Sequence, residues 1–181
     1  MSCKFSPFPK DYLDVEMEAE FSRLLAAHGP ALRRLAAAYM QDLSDQQDLF
    51  QEIAVALWTA LPRFRAQASE RTWLYRIAHN VALTWRARRH RETRSEEPLE
   101  EAALASPVPG DDHRRFVLLE SVQRLGPVDR QLALLYLEGL SAREMEEVTG
   151  LAANAVGVRL NRLRHKLAAA VSGKEVRDER A

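Results

Sequence analysis

The sequence contains one cysteine, Cys3, in 181 residues. An intramolecular disulfide is therefore excluded, and so is any cysteine-built metal cluster. Glycine and proline are scarce, at 7 and 8 residues, which argues against collagen-like chains and turn-dense all-β classes. No run approaches the ~18 apolar residues that a membrane span requires. The N-terminal stretch MSCKFSPFPKDY lacks the apolar core of a secretory signal. These absences lead to the expectation of a cytoplasmic protein with no membrane insertion. Lysine is also rare: 4 of the 26 basic residues are Lys and 22 are Arg. Arg suits phosphate and base-edge recognition, although coding bias gives the same skew. Net charge is zero, with 26 basic residues against 26 acidic.

What the chain does have is helix formers. Ala occurs 27 times and Leu 25 times, and both rank high in helix propensity. The expected class is all-α. The zero charge is a cancellation between segments. Residues 11–62 carry net −6, 63–94 carry +7, 95–112 carry −6 and 151–171 carry +4. Neutrality excludes a uniformly basic nucleic-acid binder but leaves room for local basic patches.

Residues 95–112, SEEPLEEAALASPVPGDD, combine three Pro, one Gly and six acids with no sustained periodicity. They read as a flexible acidic linker. The expected division is a helical domain over 1–94, the linker over 95–112 and a second helical domain over 113–181.

Apolar spacing predicts helices over about 16–27 and 30–40, separated by a break at His28-Gly29-Pro30. Ser44 and Gln47 suggest a capping box opening a helix over about 45–61, with Leu49, Ile53, Leu57 and Leu61 on its apolar stripe. Ser69 is the expected cap of a helix over about 70–91, with Trp73, Ile77, Val81 and Trp85 on one stripe. Helices follow over about 113–124 and 128–138. Ser141 and Glu144 fit a capping box for a short helix over 142–148, and Thr149-Gly150-Leu151 is a tight turn before a longer helix over about 152–170. A short helix, a glycine turn and a longer basic helix form the helix-turn-helix pattern.

Three constellations can carry function. In the last helix, Val156, Leu160, Leu163 and Leu167 form a core stripe. Another face presents Asn154, Val158, Asn161, Arg162 and His165, with Arg159 and Arg164 placed for phosphates. Arg pairs with guanine and Asn with adenine in a major groove, but a solvated basic face has the same pattern. The segment 63–94 interleaves nine Arg with aromatics, which suits splayed single-stranded bases. There Arg76 and Asn80 share a face, Trp73 and Trp85 fit plain core better, and Arg86, Arg88, Arg89 and Arg91 suit duplex phosphates. On the acidic helix, Asp48, Gln51 and Glu52 share a face, suited either to a basic partner helix or to solvent. No zinc spacing, phosphate-cradling glycine loop or nucleophile motif is present, and the histidines are scattered. Neither catalysis nor a metal or cofactor is expected.

Taken in order, these segments resemble a bacterial RNA polymerase sigma factor of the sigma-70 family, extracytoplasmic function (ECF) group. The resemblance covers about residues 21–170. DQQDLFQEIAVALW (45–58) is similar to the core-binding helix of region 2, and FRAQASERTWLYRIAHNVALTWRARRHR (64–91) to the −10 segment. RLGPVDRQLALLYLEGLSAREMEEVTGLAANAVGVRLNRLRHKL (124–167) resembles region 4. The resemblance implies a transcription initiation factor. Asp48, Gln51 and Glu52 would dock on the β′ clamp of core RNA polymerase, with region 4 at the β flap. Arg71, Thr72, Trp73, Arg76, Asn80, Arg88 and Arg89 would serve the −10 element of promoter DNA, and Asn154, Arg159, Asn161 and Arg162 the −35 element. An anti-sigma factor is the implied regulator. Some positions depart from the family pattern: Glu70 stands for a common Phe, Thr84 for Asp, Glu146 for a small residue and Thr149 for an apolar one. Gly157 and Val158 stand for a basic residue and a Ser, and these departures point to a shifted −35 preference or a weak dependence on that element. The competing readings are a helix-turn-helix regulator that binds duplex DNA without polymerase, and a helical adaptor or decoy that binds a sigma regulator.

Overall fold

The computed structural model describes residues 10–93 and 111–172. Cys3 and nearly all of the expected linker, residues 95–110, lie outside the described residues. Among the described residues, seven α-helices run in order: α1 Lys10–Tyr39, α2 Leu43–Ala60, α3 Glu70–Thr93, α4 Asp111–Gln123, α5 Pro127–Leu137, α6 Ala142–Thr149 and α7 Ala153–Val171. A short 3₁₀ turn, Leu61–Arg63, follows α2 and contains Pro62. The described residues include no strand, so the fold is all-α, as composition and periodicity indicated.

Two local expectations are corrected. The expected break at His28-Gly29-Pro30 does not occur, because α1 continues through Pro30. An internal proline costs a helix about 3 kcal/mol. Gly29 lessens the strain, since the residue before a proline is crowded partly through its Cβ and glycine has none. Continuity also keeps Leu24, Ala31, Leu32 and Leu35 buried along one helix. Each leucine contributes roughly 1.5–3 kcal/mol, enough together to outweigh the proline. The second correction concerns α2. It starts at Leu43 with Asp42 as N-cap and no side-chain cap bond, so Ser44 lies inside the helix and caps nothing.

Other signals hold. The Ser69 hydroxyl accepts from the Thr72 amide at 3.1 Å at the start of α3. Ser141 and Glu144 form a reciprocal capping box on α6. Gly150 ends α6 at φ 72°, a left-handed conformation that glycine adopts without steric cost.

The three N-terminal helices pack around Leu32, Leu35, Leu49, Ile53, Leu57 and Leu74, all buried. The four C-terminal helices close on Leu132, Leu135, Met145, Val156 and Leu163. The two halves also pack on each other. Gln123 donates from Nε2 to the Ala37 carbonyl at 2.7 Å, and the Arg130 guanidinium lies 5.5 Å over the Tyr39 ring. Arg130 is itself buried and donates to the carbonyls of Val122, Gln123 and Leu125 at the end of α4, an end left with orphan acceptors. One buried polar pair lies beneath this junction. Tyr39 Oη and His79 Nδ1 are hydrogen-bonded at 3.0 Å, and His79 Nε2 has no hydrogen-bond partner. Burial pushes the His79 imidazole down to a pKa of about 3, so the ring is neutral in the fold.

Candidate nucleic-acid interface

The loop between the 3₁₀ turn and α3 builds a cleft of about 710 Å³, lined by Arg63, Phe64, Arg65, Gln67, Thr72, Trp73, Arg76 and Glu147, among others. Ala66 holds φ 52° in this loop, a left-handed conformation that costs a non-glycine residue energy and clusters at functional sites. Phe64 packs on Trp73 with ring centroids 4.7 Å apart. Trp73 and Thr72 are buried, and the Thr72 and Ser69 hydroxyls are hydrogen-bonded at 2.8 Å. Thr72 and Trp73 thus form the floor of the cleft, while the cations Arg63, Arg65 and Arg76 stand exposed around it.

One turn beyond Arg76, Asn80 is exposed and lines a second groove of about 320 Å³ with Glu52, Val81, Thr84, Trp85 and Arg88. The Arg88 guanidinium lies 5.9 Å over the Trp85 ring. The fold therefore brings Glu52 of the acidic face beside Asn80 of the basic segment, a proximity that spacing within either helix could not show. Asp48, Gln51 and Glu52 are all exposed on α2, and Val55 is exposed on the same helix. The acidic face is a presented surface. Arg89, by contrast, turns to α2, where its guanidinium contacts the Asp45 carboxylate at 3.2 and 3.3 Å.

Arg71 has partners that spacing along α3 does not reveal. Its guanidinium reaches across to the α5–α6 turn and donates to the Gly139 carbonyl at 2.9 Å and the Glu138 carbonyl at 3.4 Å. It also lies 3.5 Å from the Glu144 carboxylate. The Ser141 backbone, which donates to that carboxylate, holds Glu144 below its usual pKa. Glu147 of the same helix completes the wall of the cleft. The run of glutamates in α6 was the available signal, facing a segment of net +7. Glu70 is likewise explained. Its carboxylate is bonded to Arg23 and to His28 Nε2 at 3.1 Å, and the Arg23 bond holds it below the usual carboxylate range.

On α7, Val156, Leu163 and Leu167 are buried, with Leu160 half-buried, while Asn154, Val158, Asn161, Arg162 and His165 are exposed. The core-behind, donors-in-front arrangement is present. Arg159 is tied at 2.8 Å to Asp129 of α5, and Arg162 lies 3.9 Å from the same carboxylate.

A family model described as Sigma-70 region 2 matches residues 24–92, the span that holds the acidic face and the aromatic cleft. The RNA polymerase sigma factor NccH of Alcaligenes xylosoxydans xylosoxydans is 32% identical over 167 residues, covering 86% of this chain and 89% of the relative. The chain belongs to the ECF group of RNA polymerase sigma factors. The sigma factor CnrH of Cupriavidus metallidurans is 33% identical over 162 residues, covering 82% and 85% of the two chains. Among solved structures, CnrH in complex with the cytosolic domain of CnrY aligns at TM-score 0.60 and 27% identity, over 87% of this chain and 91% of that one. The sigma factor RpoE from Bartonella quintana, solved with the anti-sigma factor NepR, aligns at TM-score 0.72. It covers 84% of this chain and 97% of that one; at 21% identity it shows the fold alone. As an ECF sigma factor the chain is a transcription initiation factor. No helix among its described residues is long and apolar enough to cross a membrane.

Proposed function

We propose that this sigma factor docks on core RNA polymerase through Asp48, Gln51 and Glu52 and carries the enzyme to promoters in the cytoplasm. The loop cleft and α3 take the −10 element. Arg63, Arg65 and Arg76 supply cations, Thr72 and Trp73 the floor, and Asn80 an edge for base hydrogen bonds. A base extruded from a duplex costs a few kcal/mol, and contacts in such a cleft offset it. Arg71, Arg88 and Arg89 serve phosphates once they exchange their present partners. Asn154, Asn161 and Arg162 on α7 read the −35 element, with Arg159 beside them. Residues 1–94 and 113–181 act as the two DNA-facing units. The chain itself performs no catalysis.

The observation that carries this reading is the aromatic-floored, arginine-rimmed cleft opening one turn from Asn80, with the exposed acidic face of α2 across the neighbouring groove. An anti-sigma factor is the fitting regulator, since both structural relatives were solved with a partner. The test is transcription in vitro with core polymerase on a pool of genomic fragments, sequencing the start sites. The expected result is start sites sharing a −10 sequence, with Asn80→Ala lowering output about tenfold, or ~1.4 kcal/mol of recognition. Footprinting of duplex DNA by the protein alone, with no transcript in the presence of core, would instead identify a polymerase-independent regulator.

A further inference from the structure

A pocket of about 280 Å³ opens where the two halves meet, away from the cleft. It is lined by Tyr39, Gln41, Asp42, Asp45, Arg86, Arg89, Gln123 and Arg130, among others. Three guanidinium groups converge on it from α3 and α5. Arg89 is matched by Asp45 at 3.2 Å. Arg130 spends its donors on neutral carbonyls. Arg86 is the unusual member, because its Nη1 is fully buried and has no hydrogen-bond partner. A buried guanidinium nitrogen without an acceptor carries the full desolvation cost of a charged donor. Like charge adds to this: the Arg130 guanidinium is pushed down to a pKa of about 10, first by its burial and then by the charge of Arg86. The N-terminal end of α2 borders the same space through Asp42 and Asp45, adding the positive end of a helix dipole.

We propose that this pocket is an oxyanion site for a phosphate group, bound by Arg86 with Arg130 behind it. Asp42 is the one lining carboxylate with no arginine matched to it here, and it limits the affinity. A phosphate supplies an acceptor to the edge of the Arg86 guanidinium that lines the pocket and separates two like charges. Tyr39, Asp42, Arg86 and Arg89 belong to the N-terminal helices and Gln123 and Arg130 to the C-terminal ones, so occupancy ties the halves together.

Two sources share this chemistry, a free phosphate ion and a DNA backbone phosphate. The test titrates the full-length protein with inorganic phosphate against chloride at matched ionic strength, following the melting temperature. A second arm uses a short non-promoter duplex, read by fluorescence anisotropy. For a free-ion site, phosphate gives a saturable rise of roughly 3–6 °C that chloride does not give. Arg86→Met abolishes the rise. Asp42→Asn, which keeps a good N-cap residue and removes the opposing charge, moves the midpoint several-fold lower. A response to duplex alone, lost in Arg86→Met and strengthened in Asp42→Asn, assigns the site to the DNA backbone. Equal responses to phosphate and chloride with no duplex effect, or responses that survive in Arg86→Met, overturn the proposal. Because Arg86→Met is half-buried and could unfold, Asp42→Asn serves as the independent check: if it leaves both responses unchanged, the assignment fails. The free-ion outcome stands or falls apart from the proposed function, whereas the duplex outcome rests on it, since Arg89 of the same pocket is there given to DNA phosphates.

Discussion

Glu138, at the end of α5, holds both halves of the molecule through two arginines. Its carboxylate accepts two parallel hydrogen bonds from Arg34 of α1, at 2.8 and 2.9 Å. Its carbonyl accepts from Arg71 at the start of α3, at 3.4 Å. Arg71 is one of the residues assigned to the −10 element. This contact between the halves therefore also engages a cation proposed to meet −10 DNA.

Reversing the charge at Glu138 should loosen this arrangement. The Arg34 side chain is 60% exposed, so the pair itself contributes only about 0.2–1 kcal/mol. The effect should appear in domain arrangement and leave the fold intact. Small-angle scattering of Glu138→Arg should show a larger radius of gyration and tighter binding to a −10 single strand. Arg34→Glu combined with Glu138→Arg should restore the compact form. A single variant that scatters like the wild type would mean that Gln123, Arg130 and the apolar contacts suffice to hold the halves.

Charge reversal on the acidic face of α2 should do the opposite, leaving shape unchanged and weakening polymerase binding. Asp48 and Glu52 are exposed, and surface changes of this kind move stability by only about ±0.5 kcal/mol. Asp48→Lys with Glu52→Lys should keep the wild-type melting temperature and lower affinity for core polymerase by about tenfold or more, or ~1.4 kcal/mol. Competition binding with labelled protein measures it, and unchanged affinity would remove these residues from the docking surface.

Much of this fold was readable because helical periodicity records which side faces a core. The α2 and α7 stripes, the Ser141 capping box and the Gly150 turn are local facts of spacing and backbone chemistry. The His28-Gly29-Pro30 segment was misread because a local breaker rule met a tertiary demand: burial on either side of Pro30 outweighs the proline. The site was readable in outline and not in its pairings. That Arg76 and Asn80 share a face follows from their spacing. That Arg71 meets Glu138 and Glu144, or that Glu52 stands beside Asn80, depends on how separate helices pack, and no single-helix pattern encodes it. Glu70 looked like a departure from the family and proved to have partners in Arg23 and His28, forty or more residues away.

Gly157 offers a stabilising substitution. It is an exposed interior position of α7, and a Cβ placed there meets nothing within 4 Å. Alanine reduces the freedom of the unfolded chain and adds no clash, so Gly157→Ala should gain about 0.5–1 kcal/mol. A melting temperature higher by roughly 1–4 °C checks it. The same variant separates two effects on transcription. If glycine weakens −35 reading by loosening the helix, output from −35-dependent promoters should rise with stability. If the missing basic side chain matters more, output should stay level while stability rises.

Acid should destabilise the protein through His79. The imidazole has a pKa of about 3 in the fold, against its ordinary 6.5. Between those values the unfolded chain binds the proton and the folded chain does not, so stability rises with pH across that window. The contribution is complete above about 6.5 and is lost as pH falls toward 3. At pH 5 the loss is about 2 kcal/mol, from 1.36 kcal/mol per unit. Glu70 and Glu144 have lowered pKa values, so their contributions are present above the ordinary 4.5 and fade below it. Melting temperatures between pH 5 and 7 therefore isolate the histidine. His79→Gln has no titrating ring, so it should start less stable and show a flatter slope over this range. Parallel slopes for the two proteins would mean that His79 takes up its proton in the folded state, contrary to its burial beside Tyr39.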